Sequence, residues 1–207
     1  MDNFILVSTI LAIHVFAWFT PGPLFVLIIR NSLIYSRKTG FWTSIGIAIG
    51  NFIHIAYSIT GIALIISTYP ATFNVIKFLG VGYLVYLGIK TLCIKIESNK
   101  SNPTAVYKNL APLQAMKTGF LTNILSPKAS LFFASIFTTV ISSGYPYWLI
   151  IFLWIAMPLT SLIMANVLSI FFTQKKIRLI YNKHQHITNK FLGGTLILLA
   201  LIIAFLV

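Results

Sequence analysis

Lys128 follows Pro127 inside an otherwise apolar stretch, and it is the residue of this chain best placed to do chemistry. A lysine at the centre of a membrane-spanning helix costs roughly 2.5–3.5 kcal/mol. A proline just before it starts a new half-helix whose first backbone donors are free, at the positive end of the helix dipole. Those donors and an ammonium together suit a carboxylate. The competing reading is snorkelling, in which the lysine reaches back to the membrane surface. Asn123 and Ser126 precede the break and either take up freed backbone groups or touch a ligand. In an earlier stretch Ser44, Asn51, His54 and Ser58 recur at helical spacing near one face. Ser44 and Ser58 read as hydrogen bonds between helices. Asn51 and His54 read equally well as such bonds or as the lining of a pathway. His14 and His54 are the two histidines within apolar stretches, so any proton coupling falls to them by elimination. A structural hydrogen bond is an equal account of His14.

The elements that must position these groups begin with Pro21-Gly22-Pro23, inside the apolar run from Phe4 to Ile29. About 20 apolar residues cross the hydrocarbon core of a bilayer. Two prolines within three residues remove backbone donors, so the helix must break or bend. Lipid cannot satisfy the freed carbonyls, which are tolerated only against protein or a watery cavity. Transporters place binding sites at such breaks.

Composition places the whole chain in the membrane. It is 58% hydrophobic and 8% charged, where a soluble domain carries roughly 25% charged residues. Six spans are predicted: about Phe4–Ile29, Phe41–Ile66, Phe73–Ile94, Leu113–Ile141, Tyr147–Phe172 and Ile187–Val207. Runs of this length are helices, since barrel strands alternate over about 10 residues. The fold class is an all-α integral membrane protein of six transmembrane helices, with broken first and fourth helices. It forms one domain over 1–207, with half-repeats of about 1–95 and 112–207 joined by a basic loop of about 95–111. Three spans per half makes the second half enter in the opposite sense, the mark of an inverted repeat.

The 15 Lys and Arg face only two acids, Asp2 and Glu97. In a soluble protein that balance suggests nucleic acid; here it reads as basic loops beside an anionic lipid surface, with no nucleic acid partner. Arg30, Arg37 and Lys38 follow the first span, and Lys95, Lys100, Lys108 and Lys117 surround the third loop. Lys175, Lys176, Arg178, Lys183 and Lys190 fill the fifth. The other connections carry no Lys or Arg, so the basic loops are expected in the cytoplasm and both termini outside. The lone Cys93 excludes an internal disulfide and a Cys-x-x-Cys pair. No zinc-protease, hydrolase or phosphate-loop motif occurs, so neither an enzyme nor a cofactor is expected. Gly46 and Gly50 allow close helix packing, within one chain or between two copies of a homo-oligomer.

Thr20-Pro21-Gly22-Pro23, then Gly40, Gly46, Gly50 and His54, resemble the first half of the LysE/RhtB amino-acid exporters. Leu79-Gly80, Tyr83-Leu84 and Leu87-Gly88 extend the match. Gly119-Phe120-Leu121-Thr122-Asn123 followed by Pro127-Lys128-Ala129 resembles that family's fourth-span motif. The resemblance implies amino-acid export across the bacterial inner membrane driven by the proton-motive force. Two positions depart from the pattern: Asn51 stands where the family often has an acid, and Ser126 where it usually has Asn. Without that acid a second ammonium has no intramembrane partner, which argues for a neutral amino acid. The expected pathway is Pro21, Gly22, Pro23, Asn51, His54, Asn123, Ser126, Pro127 and Lys128. Lys128 would pair with the carboxylate, and His54 would relay protons if coupling exists. The rival expectation is a scaffold or sensor subunit that keeps the fold without transporting.

Overall fold

The computed structural model describes residues 3–61, 69–94 and 109–206. Asp2, Glu97, the expected end of the second span at Ile66 and most of the expected basic loop lie outside them. The described residues form nine helices: α1 (Asn3–Phe19), α2 (Pro23–Ile34), α3 (Arg37–Ile59), α4 (Pro70–Leu92), α5 (Pro112–Ile124), α6 (Pro127–Ser142), α7 (Tyr147–Phe172), α8 (Lys175–Lys183) and α9 (Gln185–Leu206). The fold is all-helical, as composition requires.

By length and composition, α4, α7 and α9 can each cross a membrane alone. The pairs α1/α2 and α5/α6 do so as bent spans, with bends of 59° and 63°. Helix α3 is less apolar because Arg37, Lys38, Asn51 and His54 interrupt it. It runs as the central helix, packed against α2, α5, α6 and α7. Its contact with α5 is backbone-close: a Cβ on Gly46 would collide with the Met116 carbonyl, and one on Gly119 with the Thr43 carbonyl. The Gly46–Gly50 face is therefore filled from within the chain.

Proline places the breaks. Pro23 and Pro127 each occupy the first turn of the new half-helix, where a missing N–H costs nothing. The polar ends meet on one face: Leu110 N–H donates to Thr39 Oγ1 at 3.2 Å, and Arg178 Nη2 donates to the Ser32 carbonyl at 3.0 Å. This basic face carries Arg37, Lys38, Lys175 and Lys176. Among the described residues, the connections on the opposite face, Thr60–Gly61 and Ser143–Pro146, carry no Lys or Arg. Tyr69, Tyr147 and Trp148 lie exposed on that bare face, as interfacial aromatics do.

Two local expectations change. The fifth basic segment is not all loop: Lys175–Lys183 is a short amphipathic helix, with Tyr181 buried and Ile177 packed on the core. Arg30 does not follow the first span but lies inside it. Helix α2 runs on to Ile34, and Arg30 is only 2% exposed.

The interior is divided. One apolar cluster joins α2, α4 and α9 around Leu27, Leu87 and Leu196. A second joins α1, α3, α6 and α7 around Ile55, Phe137 and Leu153. Trp18, Ile28, Ile47 and Ala165 form a third, smaller cluster among α1, α2, α3 and α7.

Candidate functional site

Both breaks lie at one level. From the basic face, α2 spans 12 residues and α5 spans 13, about 18 and 20 Å at helical rise. The two half-spans run in opposite directions along the chain, so the breaks face each other instead of sitting at mirrored depths. Between them is a partly open cavity of about 90 Å³. A single water needs only about 10–15 Å³ of such room, so the space suits a small solute.

Its walls come from both breaks. Ala17, Trp18, Thr20, Gly22, Pro23, Leu24 and Phe25 form one side, and Ser126, Lys128, Ala129, Phe132 and Phe133 the other. His14, Asn51 and Ser161 close the back. No lining residue comes from α5, or from α2 beyond Phe25, so the cavity lies on the side of the breaks away from the basic face.

Each break has its own backbone economy. Pro21 and Pro23 cannot donate to the carbonyls of Ala17 and Phe19, four residues back. The end of α1 therefore presents unpaired carbonyl character at the cavity. The start of α2 presents N–H groups, and Gly22, its N-cap, has no side chain to cover them. The Lys128 Nζ lies 3.6 Å from where a Cβ on Gly22 would stand. Among the described residues no hydrogen bond or ion pair engages that ammonium, and none of those residues is an Asp or Glu. One narrow space thus holds a cation, helix-end donors and helix-end acceptors.

At the second break, Pro127 leaves the Asn123 carbonyl without its helical partner, and the fold repairs it. Ser126 N–H donates to that carbonyl at 2.9 Å and His54 Nε2 donates to it at 3.0 Å. A carbonyl only accepts, so His54 carries its proton on Nε2 and accepts at Nδ1 from the Tyr57 hydroxyl. His54 also stacks on Phe133 with ring centroids 5.8 Å apart. Ser126 Oγ caps α6 by accepting from Ala129 N–H.

A directed chain of hydrogen bonds runs behind the cavity. Asn123 Nδ2 donates to the Ile47 carbonyl and to Asn51 Oδ1, each at 2.7 Å. Asn51 Nδ2 then donates to Ser161 Oγ at 2.6 Å, and Trp18 Nε1 donates to the same oxygen at 3.2 Å. Those two donors fill both lone pairs of the hydroxyl, so its proton goes to His14 Nε2, 2.9 Å away. His14 therefore holds its own proton on Nδ1, a buried atom with no partner among the described residues. Asn123 is seated by the absence of a side chain opposite it: a Cβ on Gly50 would stand 2.7 Å from its Nδ2.

Of the residues expected from sequence, Gly22, Pro23, Asn51, Ser126 and Lys128 line the cavity. Pro21 and Pro127 shape the breaks beside it. His54 and Asn123 stand behind the wall, fully buried and holding α5 to α3. Sequence reasoning misses Ser161, Trp18 and Thr20. Pro158, three residues before Ser161 in α7, is the available signal, because a proline inside a span marks a helix whose backbone needs outside partners.

Comparison with known proteins fits this architecture. No solved structure matches the chain. It is 25% identical over 202 residues to the uncharacterized membrane protein YahN of Escherichia coli K12, covering 97% of this chain and 90% of that one. It is 31% identical over 134 residues to the leucine efflux protein of Salmonella typhimurium, covering 64% of this chain and 62% of that one. The membrane protein YrhP of Bacillus subtilis is 34% identical over 122 residues, covering 56% and 58%. The model of the LysE type translocator matches residues 15–206, nearly the whole chain. With its broken spans facing one another and its motifs in family order, the chain belongs to the LysE type translocators, a family of membrane transport proteins.

Proposed function

We propose that the protein exports small neutral amino acids across the bacterial inner membrane, holding the zwitterion where the two broken spans meet. The observation that carries this reading is the convergence of the α1 carbonyl end, the uncapped α2 amide end and the Lys128 ammonium on one cavity. The carboxylate pairs with Lys128 and the α2 donors. The ammonium meets the carbonyls that Pro21 and Pro23 leave unpaired, as half-helix ends hold cations in other transporters. Phe25, Ala129, Phe132 and Phe133 offer an apolar wall for the side chain. With no acid in that wall, a second ammonium has no partner, which favours neutral substrates over basic ones. Relatives named leucine efflux protein support an aliphatic side chain.

The basic face is the cytoplasmic one by the positive-inside rule, which puts both termini in the periplasm and the cavity on the periplasmic side of the breaks. Transport then alternates this arrangement with one open to the cytoplasm. Coupling to the proton-motive force is assigned to His14, the histidine that lines the cavity, whose Nε2 takes up a proton when the Ser161 hydroxyl turns away; His54 stands behind the wall.

The test is efflux from proteoliposomes preloaded with radiolabelled neutral and basic amino acids, with and without a pH gradient. Protein-dependent efflux of a neutral subset, faster with the gradient, is expected. Absence of efflux across the panel from folded protein contradicts the exporter and favours a scaffold. Gradient-independent efflux keeps the exporter and removes the coupling.

A further inference from the structure

Arg30 is buried near the basic-face end of α2, only 2% exposed, and carries a charge that no described residue balances. Burying a guanidinium without a counter-ion is costly in protein and more so at membrane depth. An intramembrane charge without a counter-ion points to a functional contact, and for a cation that contact is an anion. Nε donates to Thr91 Oγ1 and Nη1 donates to Asn31 Oδ1 at 2.7 Å. Nη2 has no hydrogen-bond partner among the described residues. Tyr35 stands beside the guanidinium, its ring centroid 5.9 Å from the guanidinium carbon and its hydroxyl a hydrogen-bond partner, so neutral groups and no carboxylate surround the charge. The Nε–Nη2 edge is one of the two forks by which arginine grips a carboxylate through parallel hydrogen bonds. Here Thr91 occupies half of that fork with one neutral oxygen, and the other half is empty.

The position matters as much as the vacancy. Arg30 is one helical turn from the end of α2, and Thr91 is one residue from the end of α4, both at the basic face. Arg30 is seven positions along α2 from Pro23 at the cavity, about 10 Å along the helix. We infer that Arg30 is a second carboxylate station, which receives the substrate's carboxylate from the basic face and passes it to Lys128 one step deeper. This inference rests on the exporter reading and names the route by which that substrate reaches the cavity. In the arrangement seen, Thr91 and Asn31 hold the guanidinium in place. When the basic face opens, the carboxylate displaces Thr91 and takes Nε and Nη2 together.

The experiment measures half-saturating L-leucine separately from each side of proteoliposomes of known orientation, for wild type and Arg30→Gln. The expected result is a rise of at least tenfold on the basic-loop side and a change within twofold on the other side. Arg30→Lys, which keeps the charge and loses the fork, falls between. A purely structural Arg30 instead lowers the maximal rate or shifts both sides equally, and either result overturns the station. If Arg30→Gln does not fold, Thr91→Val decides: it empties the fork without touching the charge, so it tightens the basic-loop side. Unchanged or weaker saturation by that variant overturns the inference. Wild-type protein that moves no leucine rejects the exporter reading itself. Wild-type transport indifferent to Arg30 rejects only the station.

Discussion

The two broken spans bend alike, by 59° and 63°, yet finish their breaks in opposite ways. The second closes itself. His54 and the Ser126 N–H share the freed Asn123 carbonyl, and Ser126 Oγ caps the next helix. The first stays open, with a glycine N-cap that has no side chain and with two prolines that have no N–H. The closed break supplies a fixed wall and the ammonium of Lys128. The open break supplies unsatisfied donors and acceptors facing that ammonium. A membrane protein keeps polar backbone unpaired only where something else completes it, so the asymmetry separates anchor from binding edge.

The sharpest way to break that division is to remove the cation. Lys128→Met keeps the methylene stem and is expected to insert and fold normally while export falls by more than about a hundredfold. That loss matches the roughly 3 kcal/mol of a hydrogen-bonded charge partner, and initial efflux rates read it. His54→Ala tests the anchor. It strips one partner from the Asn123 carbonyl and one from the Tyr57 hydroxyl, costing about 1–3 kcal/mol of stability. Thermal unfolding in detergent shows the loss, while the surviving folded protein keeps its half-saturating substrate concentration.

Two smaller changes exchange the characters of the breaks. Ser126→Ala uncaps α6, and loss of a serine cap costs about 1 kcal/mol; the melting temperature falls and binding is retained. Gly22→Ser does the reverse by placing a hydroxyl on the open edge. The Gly22 backbone is extended, with φ −160°, so a side chain is tolerated, and a serine cap there adds a few tenths of a kcal/mol. Substrate affinity nevertheless drops a few-fold, because the new hydroxyl occupies α2 donors. A stabilised variant with unchanged affinity would place the carboxylate elsewhere.

Much of the frame is legible in the amino-acid sequence. Apolar runs and proline positions identify the spans and both breaks, because bilayer thickness and the missing proline N–H act locally. The Tyr147–Phe172 span matches residue for residue. Partners across helices are not legible in this way. Periodicity assigns Asn51 and His54 to a face but cannot say that His54 meets the Asn123 carbonyl, 69 residues away in sequence, while His14 reaches Ser161, 147 residues away. Arg30 escapes for a similar reason. A basic residue at the end of an apolar run has the signature of a loop, and only tertiary packing against α4 makes it interior. The amphipathic α8 is hidden by its lysines, whose count dominates the few apolar residues that face inward.

The central claim is that a carboxylate sits between the open break and Lys128. Calorimetric titration tests it most directly, comparing L-leucine with 3-methylbutylamine, the same molecule without its carboxylate, on wild type and Lys128→Met. Only leucine is expected to bind the wild type, and neither compound the variant. Equal binding of the amine, or leucine binding undiminished in Lys128→Met, would contradict the claim.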